Sequence, residues 1–312
     1  MLSRRRLQLI HLDSDDLRSY GLDMKPLPTP GSWSGPLPEA TPPSDMAIYQ
    51  LPTGTYDTRA AFAIRGGSFF DVRHFAATAV LLRHPKGDLL IDAGFGSRVA
   101  AHVHAQPWYA RAQYKMESSA RQQLDEAGYD LSNLSAVVPT HSHWDHVSGI
   151  SDLRVPIWIN EDELRYGTET PDGKVWRDVS AGHEIHQYEA NGPAYLGFPS
   201  SFDVYGDGSV VIVPVGGHTD GSVVVFASLP TGKRYAFIGD LTWQLDGIRQ
   251  RLERPLLMRK LADVNHAQVR ENLLRVISIA DLMQIVPAHD VAAFDGIPRL
   301  APVLASEVRS LG

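Results

Sequence analysis

The chain has 312 residues, 43% hydrophobic and 21% charged, with a net charge of −7 and no cysteine. These values suit a globular protein with a sizeable core; they disfavour a nucleic-acid surface, which needs a basic patch, and exclude disulfides and thiolate metal ligands. No apolar run nears the roughly 20 residues that span a bilayer, and Leu7–Ile10, after Arg4, Arg5 and Arg6, is too short for a secretory leader, so the expectation is no membrane span and a cytoplasmic protein, or a secreted one that has lost a leader.

Seven of the 21 prolines fall between Pro26 and Pro43. This composition predicts an extended arm over residues 1–45 rather than helix or central strand. Trp33 in its middle suits an arm lying on the body or on a neighbouring subunit, and a mobile tail is the alternative. A single domain is expected over residues 46–312. Apolar and β-branched runs predict strands at Met46–Leu51, Ala60–Arg65, Thr78–Leu82 and Leu89–Asp92, with a hairpin turn at His84-Pro85-Lys86-Gly87. Met116, Ala120, Leu124 and Ala127 predict a helix over Gln113–Ala127. Further strands are expected at Val155–Ile159, Val210–Val213, Val223–Ala227, Tyr235–Ile238 and Leu282–Val286, with a helix at Val269–Ile279. The segment 160–200 is expected to shape a pocket, without a readable fold. Short apolar strands alternating with helices imply a mixed α/β protein whose sheets are covered on both faces.

His141-Ser142-His143-Trp144-Asp145-His146 follows the apolar run Leu134–Pro139. Three imidazoles and a carboxylate in six residues offer the nitrogen and oxygen ligands that zinc accepts. Three later strands end in further candidates: His218 in Gly216-Gly217-His218-Thr219-Asp220-Gly221-Ser222, Asp240 after Gly239, and His289 in Ala288-His289-Asp290. Loops beyond strand ends are where α/β proteins build sites.

In this order the four motifs resemble the metallo-β-lactamase superfamily of dinuclear metallohydrolases, over about Met46–His289. The resemblance implies a four-layer αββα sandwich (α/β, α+β) with metals at one edge. It implies that His141, His143 and His218 bind one metal, that Asp145, His146 and His289 bind a second, and that Asp240 bridges them. Asp92 matches a family aspartate that orients a ligand histidine, although a turn-capping Asp before glycine would read the same way. The implied cofactors are two Zn²⁺ per chain, with Mn, Fe or Co able to serve. The implied chemistry is attack by a hydroxide bridged between the two ions, with Asp145 as the catalytic acceptor of its proton.

Asp240 sits where β-lactamases of the superfamily typically lack an aspartate, so β-lactam hydrolysis is expected only as a weak side activity. The 23 residues after His289 (312 − 289) leave little for the helical domain of glyoxalase II enzymes. The ligand set looks most like that of acyl-homoserine lactonases and related organophosphate hydrolases. This implies a small-molecule lactone or ester substrate and a promiscuous phosphotriesterase activity; a homodimer is compatible with it. One departure is Asp240-Leu241-Thr242-Trp243, where such lactonases often carry a tyrosine. Trp243 and Phe95 are the expected pocket walls, favouring apolar or aromatic substrates. A non-hydrolytic metal or ligand sensor on the same fold is the alternative. His102 and His104 are expected in a surface loop, and Arg249, Arg251, Arg254, Arg259 and Lys260 on a solvated helix face.

Overall fold

Alternation of side chains along the strands decides the layering. Val80 and Leu82 point to one buried cluster, and Ala79 and Leu81 to another, as the period of two requires. The computed structural model describes residues 25–301; the reading of Met1–Ile10 lies outside them. One sheet holds β1 (Ala47–Arg59), β2 (Val72–Arg83), β3 (Asp88–Ile91), β4 (Gln113–Met116), β5 (Leu134–Val138), β6 (Ile157–Ile159) and β7 (Ile185–Gln187), in the order β4-β1-β2-β3-β5-β6-β7. The other holds β8 (Phe202–Asp203), β9 (Val210–Pro214), β10 (Val223–Ser228), β11 (Arg234–Phe237) and β12 (Gln284–Val286), in the order β12-β11-β10-β9-β8.

The inner faces of the two sheets meet in one core, with Val80, Leu82 and Ile91 against Ile212, Val225 and Phe237. The outer face of the second sheet (Val211, Val213, Val224) is covered by Val269, Leu273 and Val276 of the helix His266–Ile279. The outer face of the first is covered by the helices Ala120–Glu126 and Lys174–Val179 through Leu124, Val175 and Trp176. The architecture is the four-layer αββα sandwich expected from the motifs. β3 and β5 run parallel, as do β11 and β12, and β9 reaches the direction of β11 through two antiparallel pairings. The loops after β3, β5, β9, β11 and β12 carry Asp92, His141–His146, His218, Asp240 and His289.

Two expected elements are corrected. Ala60–Arg65 is not a strand: β1 ends at Arg59, and Ala60–Ala63 forms a short helix. The chain must turn there to enter β2, and the turn is closed by Ala60 N to Asp71 O (2.9 Å) and Ala61 N to Ser68 O (3.1 Å); alanine favours the helical option. Gln113–Ala127 is not one helix. Gln113–Met116 pairs antiparallel with Gly54–Asp57 of β1, and the helix begins only at Ala120, capped by Ser119 Oγ accepting from Gln122 N at 3.2 Å. The open edge of β1 offers that segment hydrogen bonds which outweigh its helical periodicity.

The described part of the proline-rich arm lies on the body. Leu27 N bonds Arg251 O at 2.7 Å, Trp33 N bonds Ser278 O at 2.9 Å, and Trp33 packs against the core beside the helix His266–Ile279. Among the described residues no helix is long and apolar enough to cross a membrane.

Candidate metal centre

The site starts from a strained residue. Asp92 follows β3 with φ 54°, a left-handed conformation rarely adopted without glycine. This aims its carboxylate across β5, where it accepts from Thr140 N (2.6 Å), Thr140 Oγ1 (3.0 Å) and His146 Nδ1 (2.8 Å). Beyond Thr140, His141 and His143 lie in the loop, and Asp145 and His146 in the helix Trp144–Val147. Gly217 (φ 91°) turns the β9 loop so tightly that a Cβ there would stand 2.9 Å from Asn265 O. That turn brings His218 under the His141 loop. Asp240 and His289 arrive from β11 and β12.

The structure brings all seven sequence-derived candidates together. His141, His143 and His218 form one cluster, Asp145, His146 and His289 a second, and His141, His146 and Asp240 a third, each with donor atoms within 4.8 Å of one another. Asp240 stands between the first two: its Oδ2 is 3.3 Å from His218 Nε2, and its Oδ1 is 3.1 Å from His289 Nε2 and 3.4 Å from His146 Nε2.

The tautomers can be assigned from the outward partners. His289 Nδ1 donates to Ala76 O at 2.8 Å, His218 Nδ1 faces Asp263 Oδ1 at 3.0 Å, and His146 Nδ1 faces Asp92. With Nδ1 so engaged, each neutral ring turns the lone pair of Nε2 inward. His143 is reversed: its Nε2 meets Tyr166 Oη at 3.2 Å, and its Nδ1 lies 3.0 Å from both His141 Nε2 and His218 Nε2. Buried lone pairs this close repel one another unless a proton or a cation stands among them. Asp240 Oδ1 is buried without a hydrogen-bond partner, although two imidazole nitrogens lie within ion-pair range. In the neutral tautomers those nitrogens point lone pairs at the oxygen, so only an added proton or a cation satisfies it. Imidazoles and carboxylates converging this closely in a buried site fit divalent metal.

In the metal-free protein, protons compete for the same positions. Burial, with His146 and His143 beside it, holds His141 well below the usual histidine range, and burial with His218 beside it pushes His143 down to about 3. Burial also opposes charge on His146, His218 and His289. The carboxylates outweigh it and raise all three: Asp92 and Asp240 at His146, Asp240 and Asp263 at His218, and Asp240 and Asp145 at His289. Asp240 is held well below the carboxylate range, because His289 and His146 overcome its own desolvation.

Several contributors were not legible in the sequence. Tyr56, near the end of β1, donates to Asp145 Oδ2 at 2.7 Å and lies 3.5 Å from His289 Nε2. Burial and Asp145 raise its pKa well above 10, so it stays a phenol and a donor. Phe75 stacks on His289 with centroids 5.2 Å apart. Arg254 joins Asp263 Oδ1 (2.8 Å) to the Asp240 carbonyl. None of these lies in a motif. The basic run containing Arg254 is therefore corrected: Arg254 and Arg259 are buried, and Arg259 pairs with Glu253 at 3.1 Å.

Phe95 does not wall a pocket. It is wholly buried, stacked on Trp144 behind Tyr56. Trp243 is half-buried at the site, and its Nε1 donates to Asp240 Oδ2 at 2.7 Å. His102 is not in a surface loop but buried in the helix Val99–Ala105, between Ser148 Oγ (2.8 Å) and Asp178 Oδ2 (3.1 Å). That serine–histidine–aspartate line cannot serve as a nucleophile system, because Ser148 is fully buried.

The family described as "Metallo-beta-lactamase superfamily" matches residues 72–289. The chain is 28% identical over 283 residues to "Probable metallo-hydrolase Rv2300c" of Mycobacterium tuberculosis, covering 83% of this chain and 84% of that protein. It is 24% identical over 263 residues to "N-acyl homoserine lactonase AttM" of Rhizobium johnstonii, covering 80% and 95%. Among solved structures, an N-acyl homoserine lactone hydrolase with N-hexanoyl-L-homoserine at its catalytic metal centre aligns with a TM-score of 0.62 at 14% identity, covering 78% of this chain and 93% of that one. AidC, a dizinc quorum-quenching lactonase, aligns at 0.56 and 14% identity, covering 81% and 90%. At such identities these two likenesses speak for the fold.

Proposed function

Because the chain belongs to the metallo-beta-lactamase superfamily and is a metallo-hydrolase of that group, we propose that it is a dinuclear zinc enzyme that opens a lactone or cleaves a related ester. The observation that carries this reading is the position of Asp240. Its buried Oδ1 lacks any donor, and its two oxygens lie between the His141–His143–His218 cluster and the Asp145–His146–His289 cluster. In this reading the first three histidines hold one ion, Asp145, His146 and His289 hold the other, and Asp240 serves both. Divalent ions held there would supply a nucleophile from water at neutral pH and polarisation of a carbonyl oxygen.

The chain's own groups supply the rest. Asp145 is buried, with one oxygen fixed by Tyr56, and stands to take the proton that the attacking water loses. Asp92 and Asp263 orient His146 and His218, so the ligands need no reorganisation when charge develops. Trp243 and Tyr56, both partly exposed, flank Asp240 and His289 with rings, which suits a substrate with an apolar acyl or aryl part. Lactonase relatives at 24% identity support the ester class. The test is a panel of lactones, aryl esters and phosphotriesters on protein whose metals have been measured. Turnover of a lactone or ester is expected, and zinc-replete protein inert towards the whole panel would end the proposal.

A further inference from the structure

Glu163 is a wholly buried carboxylate that touches none of the seven candidate ligands. It lies in the first turn of the helix Glu161–Glu169, 1% exposed. Its Oε1 accepts from Ser142 N and Ser142 Oγ, both at 2.6 Å. Its Oε2 accepts from Thr219 Oγ1 at 2.5 Å and Gly221 N at 3.2 Å. Ser142 lies between His141 and His143, and Thr219 follows His218. One carboxylate therefore spans the two loops that supply all three histidines of the first cluster.

The same helix turn grips the second loop twice. Asn160 caps the helix by accepting from Glu163 N at 2.9 Å, while its Nδ2 donates to Gly221 O at 2.7 Å. A Cβ on Gly221 would stand 2.1 Å from Glu163 N, so the approach is closed to any side chain. Burying a carboxylate is costly unless its lone pairs are filled, and these four donors fill them. The arrangement fixes the spacing of the two loops through contacts that involve none of the candidate ligand atoms.

We propose that Glu163 is a positioning residue that sets the His141–His143–His218 position, and not the Asp145–His146–His289 position, for its ion. This rests on the two-metal reading above. Loss of a group behind metal ligands typically costs about 10- to 100-fold in metal affinity, and here that loss should fall on one binding step only.

The test is a two-step zinc titration against a chromophoric chelator, on full-length protein stripped of metal. Wild type should take up two equivalents. Glu163→Gln, which puts amide hydrogens where donors already point, should weaken one step by about tenfold or more and leave the other within about twofold. Glu161→Gln, on the exposed face of the same helix, should change neither. In a His218→Ala background, Glu163→Gln should have no further effect on the remaining step. Should Glu163→Gln fail to fold by circular dichroism, Thr219→Val removes one of the four donors and faces the same criteria. Two undisturbed steps, or equal weakening of both, would overturn the proposal. Wild type that takes up no second equivalent would instead sink the two-metal reading, and this inference with it.

Discussion

The phenol of Tyr56 donates to Asp145 Oδ2 across 2.7 Å, tying the end of β1 to the helix that carries two candidate ligands. The ring is locked by edge contact with Phe75 at 5.3 Å and by Trp144 at 5.6 Å. Tyr56→Phe keeps those contacts and removes only the hydrogen bond. A buried hydrogen bond to a charged group contributes about 1.5–3 kcal/mol. Urea unfolding should show a loss of that order with secondary structure unchanged, and hydrolysis should fall because Asp145 loses its fixed orientation. A variant as stable and as active as wild type would show that the contact has neither role.

What could be read from the sequence divides along a physical line. The candidate ligands His141, His143, Asp145, His146, His218, Asp240 and His289 were legible because a metal site of the proposed kind demands particular side chains at strand ends, and such demands leave motifs. Tyr56, Glu163, Arg254 and Asp263 left none. Each acts through contacts with residues distant in sequence, including partners 89, 56, 14 and 45 residues away respectively. Arg254 was masked further by four neighbouring cations that resemble a solvated helix face. Most strands were visible from apolar runs, but Gln113–Met116, Ile185–Gln187 and Phe202–Asp203 were not; the first takes its conformation from the free edge of β1.

Trp243 distinguishes a substrate wall from a support for the metal site. Its indole N–H donates to Asp240 Oδ2, and Arg254 Cζ lies 4.5 Å from its ring centroid. Trp243→Phe keeps an apolar wall but removes the donor. Zinc affinity should fall about tenfold, as for other groups that hold a ligand. A change confined to KM, with metal binding intact, would mean that the residue serves the substrate alone.

Asp240 and His218 should differ when each is truncated. Asp240 faces both clusters, whereas His218 belongs to one. Elemental analysis should therefore find both metals depleted in Asp240→Ala and chiefly one in His218→Ala. His186→Ala is the control, since that ring is exposed and paired with Glu184 at 2.9 Å. Full metal content in both ligand variants would refute the assignment. His102→Ala should leave metal untouched but cost stability, because it strips partners from buried Ser148 and from Asp178.

The metal-free protein should have an unusual pH profile. His146, His218 and His289 are raised above the ordinary histidine value in the fold. Above about pH 6.5, where a free histidine has shed its proton, the folded protein still binds protons that the unfolded chain has lost. Stability gained from those three is complete below that pH and disappears as pH rises through their folded values. His141 and His143 act in the opposite sense, being held down. Below about pH 6.5 the unfolded chain protonates them and the fold does not, so they erode stability on acidification. Chelator-treated protein should thus melt highest near pH 6.5 and lose stability towards pH 9. Zinc competes with the same protons, so its affinity should increase over that interval and the alkaline decline should vanish when it is bound. Melting curves from pH 6 to 9, with and without zinc, decide the matter: a metal-free protein that gains stability as pH rises above 6.5 would show that the three raised histidines are neutral, and that the carboxylates around them are compensated in some other way.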